Sequence, residues 1–156
     1  MWMDLLVGFC ISIIKHVKRH REELKEFDLV FGDSPPDCQV IIAEFLVLPR
    51  IDIKPAYPMR AKPESVSLVS YVPSLLSSNT VEMSFMERLQ NLFLFGVIKA
   101  SEMHTFALYG ELKTEFNIMP ETHFHVSIHT AEMTLIMGHF ALEYPQPLLP
   151  GITTNN

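Results

Sequence analysis

The feature that most constrains the fold of this chain is a short apolar run that ends on a carboxylate, followed by a loop with two prolines and a second apolar run. The first run, Phe27–Gly32, is typical of a buried strand, and Asp37–Val47 is typical of a helix that stops before a proline. Arg50–Ile53 then predicts another strand. Strand, helix and strand at this spacing predict a right-handed β-α-β unit in a parallel sheet, and therefore an α/β fold.

Asp33 is the first candidate for a catalytic residue because it directly follows the first predicted strand. In open α/β sheets, ligands bind just beyond the carboxyl ends of the strands, so a carboxylate there is well placed for chemistry. The alternative is a structural aspartate that bonds backbone amides two residues further on. Asp28 is an internal comparison, since it lies near the start of the strand and is expected to face solvent or to cap the incoming turn.

The start of the chain predicts one long helix, Asp4–Glu26, with Asp4 as its N-cap. Apolar side chains recur there at helical spacing, at Leu5, Leu6, Phe9, Ile13 and Val17. The apolar stretch is too short to span a membrane, and its positive charges follow it rather than precede it as in a secretory signal. We therefore expect an amphipathic packing helix, and neither a signal peptide nor a membrane anchor.

The rest of the chain mixes irregular and regular segments. Residues 54–79 contain four prolines and many serines and predict a long irregular excursion. The elements expected after it are a helix from about residue 78–80 to Tyr109, a break at Gly110, a short helix over Glu111–Phe116 and a buried strand over Glu132–Met137. Three prolines between residues 145 and 150 are expected to forbid regular structure beyond that strand, as in a linker between domains.

Composition places the chain among core-forming globular proteins. Apolar residues make up 48% and charged residues 19% of its 156 residues, which suits one domain. The net charge of −6 argues against nucleic acid as a partner, because binding phosphates requires a basic surface. Cys10 and Cys38 could pair, but their positions on one helix and at the start of another give no reason to expect it, so two free thiols are predicted.

Glu121, His123, His125 and His129 form the strongest candidate for a metal site. In a strand, His123 and His125 would share a face, and in a helix His125 and His129 would. Zinc needs a third or fourth ligand, and no cysteine lies nearby. Solvated histidines are therefore the expectation, with no bound metal. The chain also contains no serine-hydrolase motif and no glycine-rich phosphate loop.

Two further sequence motifs follow the one that ends at Asp33. Ser70–Pro73 reads SYVP and is followed by Met83–Asn91, which reads MSFMERLQN, and Phe140–Pro150 reads FALEYPQPLLP. Together with the F-D-x-V-x-x-D pattern of Phe27–Asp33, these motifs resemble in order and spacing the acceptor-binding half of the UDP-glycosyltransferases, the family that includes the UDP-glucuronosyltransferases. The resemblance covers roughly residues 20–151.

The resemblance implies the GT-B architecture, in which two Rossmann-like domains face each other across a cleft. Residues 1–150 would be part of the N-terminal, acceptor-binding domain, a partial Rossmann-like domain with a parallel sheet and flanking helices. Residues 151–156 would begin the interdomain linker, and the C-terminal domain that binds the UDP-sugar is expected to be absent from this chain. Because its first strands are also expected to be absent, the sheet should have an unpaired edge.

In this family a histidine takes the proton of the acceptor hydroxyl, and an aspartate orients that histidine and balances its charge. Asp33 matches the aspartate, whereas the histidine belongs to an earlier strand that this chain is not expected to contain. None of the seven histidines lies in a matching motif, and the segments that bind the UDP-sugar are not found. The chain alone is therefore expected to transfer no sugar. No metal and no cofactor are implied, and the UDP-sugar is the co-substrate.

The SYVP–helix motif contains the candidate acceptor pocket. Met83 and Met86 form an adaptable apolar surface, which Tyr71 would join. They are expected either to pack in the core or to line a pocket for a lipophilic acceptor. For Arg88 the expected role is a salt bridge that holds the helix to the sheet, with substrate contact as the alternative.

The resemblance implies that the full-length protein transfers a sugar, glucuronate or glucose, from a UDP-sugar to a small lipophilic acceptor with inversion. Animal members of the family lie at the endoplasmic reticulum membrane, held by a C-terminal membrane helix, and the location of this chain is left open. The alternative is a short non-catalytic form. Such a form would bind lipophilic acceptors, or would associate as a homo- or hetero-oligomer with full-length transferases.

Overall fold

The computed structural model describes residues 2–33, 37–55, 69–74, 77–137 and 152–154, with the side chains of residues 2–4, 55 and 152–154 left aside. Five helices and four strands follow one another along these residues. In chain order they are α1 Trp2–Arg19, α2 Arg21–Leu24, β1 Val30–Asp33, α3 Cys38–Leu46, β2 Arg50–Pro55, α4 Phe85–Glu115, α5 Phe124–Ser127, β3 Met133–Met137 and β4 Ile152–Thr154.

The strands form one parallel sheet in the order β1-β2-β3-β4. β1 pairs with β2 from Val30 opposite Arg50 to Asp33 opposite Ile53. β1, α3 and β2 are thus the β-α-β unit that the sequence predicts, and the α/β fold class is confirmed. In the described part of the chain β1 has a neighbouring strand on one side only.

The two faces of the sheet differ in how they are covered. Gly32 and Asp52 are neighbours across β1 and β2, and both are buried on the face where α3 packs. The side chain of Gln39 from α3 lies directly over Gly32. On the opposite face, Phe31 and Met133 are exposed. Helices normally cover both faces of a parallel sheet, whereas here the described residues leave one face open.

The hydrophobic core lies where α1, α3, α5 and the C-terminal half of α4 meet. Its buried side chains are Cys10, Ile14, Cys38, Val40, Ile41, Tyr109, Leu112, Ile118, Phe124 and Ile128. Aromatic rings form its centre, since the ring centroids of Tyr109 and Phe124 are 4.8 Å apart. This core joins helices that are distant in sequence.

Cys10 and Cys38 form a disulfide, so the expectation of two free thiols is wrong. Their Cα atoms are 5.5 Å apart, which is within the range that a disulfide requires. The pairing arises because α1 packs across the first turn of α3, and the spacing along the chain does not reveal which helix faces meet. The Tyr109 hydroxyl, 3.9 Å from Cys10 Sγ, brings α4 to the same contact.

α1 is the amphipathic packing helix that the apolar spacing predicts, but the face that it buries is rotated from the predicted one. Val17 is buried as predicted, together with Cys10 and Ile14, whereas Leu5 and Phe9 are exposed. Cys10 and Ile14 each follow a predicted position, Phe9 or Ile13, by one residue, which is a rotation of about 100° around the helix. Apolar residues cover so much of α1 that their spacing does not select between these faces. Among the described residues, the helices are all too short or too polar to cross a membrane.

α4 starts later and runs further than expected. Its N-cap is Ser84, whose hydroxyl accepts from the Glu87 amide while the Glu87 carboxylate accepts from the Ser84 amide. The helix continues through Gly110, so the break predicted there is wrong. A glycine inside a helix costs only about 0.5–1 kcal/mol relative to alanine, and burial of the adjacent Tyr109 offsets it.

Two further expectations, one at each end of the described chain, are wrong. α1 begins at Trp2, so Asp4 lies inside the helix rather than at its N-cap. β4 pairs in parallel with β3, so regular structure does follow the prolines of residues 145–150. A proline restricts its own backbone and the residue before it, and β4 begins beyond that reach. The assignment of residues 151–156 to a linker stays a prediction.

Replacing Gly32 by alanine is expected to destabilise the fold by about 1–3 kcal/mol. The added Cβ would overlap Cγ and Cβ of Gln39. Because the Gln39 Cβ is fixed by the backbone of α3, rotating the side chain does not relieve the overlap, and α3 must move away from β1. Urea unfolding measures the change. Gly96→Ala is the control, since its Cβ meets nothing, and a Gly32→Ala variant as stable as that control would contradict the packing described.

Candidate functional site at the carboxyl edge of the sheet

Asp33 is the last residue of β1, and its side chain is exposed. Its cross-strand neighbour is Ile53 of β2, and the Asp33 carboxylate forms no hydrogen bond or ion pair with another described residue. The amides that a structural Asp33 would cap belong to residues 34–36, which lie outside the described residues. The strand-end position is therefore as predicted, and the catalytic role stays a prediction. Asp28 is exposed ahead of β1, as expected.

The carboxyl ends of the parallel strands meet at one edge of the sheet. β1 ends there at Asp33, β2 at Pro55 and β3 at Met137. Ligands of α/β proteins bind at this edge, so Asp33 presents its carboxylate where chemistry is expected. The segments that leave the edge, including the Phe140–Pro150 motif, lie outside the described residues.

Asn91 explains why the SYVP segment and the following helix occur together. Its side chain is buried on α4, and Nδ2 donates to the carbonyl oxygens of Val69 and Val72 at 2.8 Å each. Its Oδ1 accepts from the amide of Ser74. One side chain thus satisfies three backbone groups of an irregular segment, which would otherwise lack partners. Asn91 fixes residues 69–74 against α4.

Arg88 has a different role from the predicted salt bridge to the sheet. Its Nε donates to the carbonyl of Met83 at 3.0 Å, and within the described residues it pairs with no carboxylate. Arg88 therefore closes the turn before α4 and supports the Ser84–Glu87 capping box. The hydrogen bonds from Ser84 hold the pKa of the Glu87 carboxyl below its ordinary value.

Asn91→Ala is expected to destabilise the chain by about 2–4 kcal/mol, because it leaves the two carbonyls and the amide without their partner. Hydrogen–deuterium exchange should rise mainly in residues 69–74, which lose their attachment to α4. The control is Gln90→Ala, which changes the exposed residue directly before Asn91 on the same helix. This variant should leave the exchange of residues 69–74 unchanged. Equal exchange in both variants would show that Asn91 does not hold this segment.

The three acceptor-pocket candidates differ in exposure. Met83 is 5% exposed, whereas Tyr71 is 39% and Met86 is 68% exposed. Met83 therefore packs in the interior, where its sulfur lies 3.9 Å from Nδ2 of Asn79. Tyr71 and Met86 remain accessible to a ligand, and their place in an acceptor pocket stays a prediction.

A buried ion pair on β2 was not anticipated from the sequence. Arg50 Nε lies 2.8 Å from Asp52 Oδ1, and Arg50 Nη2 donates to the carbonyls of Ser127 and Ile128. Both charged side chains are fully buried. Burial raises the pKa of the Asp52 carboxyl, and the charge of Arg50 opposes that change without cancelling it. The pair attaches the turn after α5 to the sheet.

Lys113 makes a second buried connection. Its Nζ lies 2.8 Å from Glu44 Oε2 of α3 and donates to Ser127 Oγ and to the Thr122 carbonyl. These contacts join α3, α4 and α5 around the core. The sequence gives only a weak indication that Lys113 is buried, because a lysine on a helix is normally expected at the surface.

The histidine cluster forms a ring contact. His125 and His129 are both exposed, and their ring centroids are 5.4 Å apart. His123 is the N-cap residue of α5 and is also exposed. In the described ranges, no three histidine, cysteine or acidic side chains are arranged to hold a metal ion.

Comparison with known proteins decides the family. Residues 2–155 match the family model described as "UDP-glucoronosyl and UDP-glucosyl transferase". The chain belongs to this family. Family membership agrees with the parallel α/β sheet and with the motifs around Asp33 and Asn91. No solved structure matches the chain significantly.

The curated relatives of this family member are more than three times as long as the chain. UDP-glucuronosyltransferase 1-2 of Mus musculus is 26% identical, over 97% of the chain and 29% of the relative. UDP-glucuronosyltransferase 2B19 of Macaca fascicularis is 29% identical, over 97% of the chain and 30% of the relative. UDP-glucuronosyltransferase 2B17 of Mus musculus is 30% identical, over 96% of the chain and 30% of the relative. The chain thus spans less than a third of these relatives.

Proposed function

We propose that this chain is part of the acceptor-binding half of a transferase that moves glucuronate or glucose from a UDP-sugar to a small lipophilic acceptor. The observation that carries the proposal is the position of Asp33. It is an exposed carboxylate on the last residue of a parallel strand, in a chain that belongs to the UDP-glucuronosyl and UDP-glucosyl transferase family. In the whole protein, we place this activity at the endoplasmic reticulum membrane.

Asp33 would act on a histidine supplied by another part of the protein. Its carboxylate accepts a hydrogen bond from one ring nitrogen and so directs the other nitrogen at the acceptor hydroxyl. The histidine then takes the hydroxyl proton as the oxygen attacks the anomeric carbon, and the carboxylate stabilises the imidazolium that forms. UDP leaves from the opposite face, so the configuration at the anomeric carbon inverts.

The rigid attachment of the SYVP segment supports an acceptor-binding role. Asn91 holds residues 69–74 on α4, and this segment includes the exposed Tyr71. Met86 is exposed on α4 itself. An aromatic ring and a flexible thioether suit apolar ligands of varied shape. These two residues would contact the lipophilic acceptor.

The experiment is a segment exchange. The matching segment of mouse UDP-glucuronosyltransferase 1-2 is replaced by residues 2–155, and transfer of glucuronate from UDP-glucuronate to 1-naphthol is measured. The exchanged enzyme is expected to transfer glucuronate at a rate within about a hundredfold of the parent enzyme's rate. Most of the reduction in the activation barrier comes from groups that both enzymes contain. An exchanged enzyme with the parent's melting temperature but no transfer would contradict the proposal.

The 156-residue chain by itself is expected to transfer no sugar from UDP-glucuronate or UDP-glucose to 1-naphthol. It supplies one member of the proposed dyad, and it spans only 29–30% of the curated relatives named above. Product is measured by chromatography against an Asp33→Ala control. Transfer by the wild-type chain above that control would refute this expectation.

The second candidate function is a short non-catalytic form that binds acceptors or associates with longer transferases. The observation that favours it is the open face of the sheet, where Phe31 and Met137 present apolar surface. Saturable binding of 1-naphthol without transfer, or co-purification with a full-length transferase, would support this form over the first candidate.

A further inference from the structure

The disulfide between Cys10 and Cys38 is close to Asp33 along the chain. Asp33 ends β1, Asp37 is the N-cap residue of α3, and Cys38 is the first residue of that helix. Cys38 is bonded to Cys10 of α1. The covalent link to α1 therefore lies on the short connection that leads away from the candidate catalytic carboxylate. Since each residue of such a connection spans less than about 4 Å, a displacement at the start of α3 is passed on to the end of β1.

The backbone sets the position of the Asp33 carboxylate. The side chain is exposed, and the carboxylate forms no hydrogen bond or ion pair with another described residue. Among the described residues, β1 pairs with β2 alone, from Val30 to Asp33. On its buried face it rests against α3, where the Gln39 side chain lies directly over Gly32. The end of β1 is thus fixed only as well as the first turn of α3 that lies on it.

The first turn of α3 lacks the kind of polar cap that fixes the start of α4. Asp37 forms no capping hydrogen bond through its side chain, and the first turn of α3 contains no acidic residue. α4, by contrast, begins with the reciprocal hydrogen bonds of Ser84 and Glu87. A helix start without such bonds frays more readily. In α3 the covalent bond of Cys38 fixes this turn instead.

Cys10 gives the disulfide a rigid attachment in the core. It is fully buried, as are Ile14 one turn further along α1 and Tyr109 of α4. The Tyr109 hydroxyl lies 3.9 Å from Cys10 Sγ, and its ring packs against Phe124. Cys38 is only 3% exposed. Because thiol exchange needs access to a sulfur atom, the bond is closed to thiols in solution while α1 stays packed, and it acts as a permanent link.

We propose that the Cys10–Cys38 disulfide is a positioning element for the Asp33 carboxylate. It holds the start of α3, and thereby the end of β1, where the carboxylate can orient the histidine. This inference rests on the proposed function, since it concerns the same carboxylate. A displacement of about 1 Å can lower the rate of an enzyme about a hundredfold. Both cysteines are buried and do not contact the acceptor, so their loss should lower kcat and leave KM nearly unchanged.

A disulfide with a purely stabilising role would behave differently. The two cysteines are 28 positions apart in sequence, and closing a loop of that size restricts the unfolded chain. Removing such a bond lowers the melting temperature. It does not change the kcat of molecules that are still folded at the assay temperature. The separation of kcat from melting temperature therefore distinguishes the two roles.

The first test removes the disulfide from the exchanged enzyme that carries residues 2–155. The substitution is Cys10→Val/Cys38→Ala, because an apolar pair of similar volume fills the space of the sulfur atoms. With 1-naphthol as acceptor, we expect kcat to fall about 10–100-fold and KM to change by less than about threefold. The matched control is Ile128→Ala, which removes a buried side chain of the same core after α5. It should also lower the melting temperature, and it should leave kcat within about threefold.

The second test asks whether the disulfide acts through Asp33. In an enzyme that already carries Asp33→Asn, removing the disulfide should lower kcat by less than about threefold more, because the group that it positions is gone. A further loss as large as that in the unsubstituted enzyme overturns the inference. So does an unchanged kcat without the disulfide when Asp33→Asn alone is impaired. An unchanged kcat in Asp33→Asn instead overturns the proposed function, and this inference with it.

The third test needs no transfer activity. Hydrogen–deuterium exchange is compared between the wild-type 156-residue chain, Cys10→Val/Cys38→Ala and Ile128→Ala. Exchange should rise in β1 and in the first turn of α3 when the disulfide is absent, and it should not rise there in the control. If the first pair of substitutions does not fold, Cys10→Ala/Cys38→Val places the larger side chain on α3. Equal exchange of β1 with and without the disulfide overturns the proposal.

Discussion

Arg50→Met is expected to lower the free energy of unfolding by about 3–5 kcal/mol at neutral pH. The variant leaves the Asp52 carboxylate buried without the guanidinium 2.8 Å away. It also removes the donor to the carbonyls of Ser127 and Ile128, which ties the turn after α5 to β2. Breaking a buried pair from one side is costly because the remaining charge has neither solvent nor partner.

The loss in Arg50→Met is expected to depend on pH. Burial already raises the pKa of Asp52 above its ordinary value, and removing the charge of Arg50 raises it further. Between the unfolded and folded pKa values, the native state binds the proton more tightly, so stability falls as the pH rises through this window. The deficit relative to wild type should therefore be smaller at about pH 5 than at pH 7.

Urea unfolding of both proteins at the two pH values measures this difference. Lys25→Met is the matched control, since it removes a lysine from the exposed pair with Glu22 and should change stability by less than about 0.5 kcal/mol. A deficit in Arg50→Met as small as that of the control would mean that the ion pair does not hold β2 and α5 together.

The β-α-β unit could be predicted because its signals are local. Phe27–Asp33 is a short, mostly apolar segment, the residues from Arg50 alternate polar and apolar, and a longer apolar run that stops before a proline lies between them. The position of Asp33 at the end of β1 follows from the same pattern. The boundaries shifted by a few residues, since β1 begins only at Val30, where pairing with β2 begins.

The buried polar contacts could not be predicted because they depend on which face of an element is covered. Residues 50–54 alternate polar and apolar, which indicates a polar face in solvent. The structure instead buries Arg50 and Asp52 beneath the helices and leaves Ile51 and Ile53 half-buried. A parallel sheet can be covered on both faces, so alternation alone does not identify its inner side.

Contacts between distant segments were missed for a related reason. The Cys10–Cys38 disulfide needs α1 to cross α3, and Asn91 finds its partners up to 22 residues away in an irregular segment. Neither arrangement leaves a periodic signal. The motif that contains Asn91 was found by resemblance, and the structure supplies the reason for it, which is to fix the SYVP segment.

Asp33→Asn is expected to lower glucuronate transfer by about 10²–10⁴-fold in the exchanged enzyme that carries residues 2–155 within mouse UDP-glucuronosyltransferase 1-2. Asparagine keeps the size of the side chain but loses the negative charge that orients the histidine and stabilises the imidazolium. The loss should fall mainly on kcat, because the carboxylate acts in the transition state and does not contact the acceptor directly. Melting temperature should not change, since Asp33 is exposed.

The sharpest test of the role of Asp33 compares kcat for Asp33→Asn and Asp28→Asn in that exchanged enzyme. Both variants convert an exposed aspartate near β1 to asparagine, and only Asp33 stands at the carboxyl end of the strand. We expect the large loss of kcat for Asp33→Asn and a change of less than about threefold for Asp28→Asn. Equal kcat values for the two variants, both near that of the unsubstituted exchanged enzyme, would contradict the role proposed for Asp33.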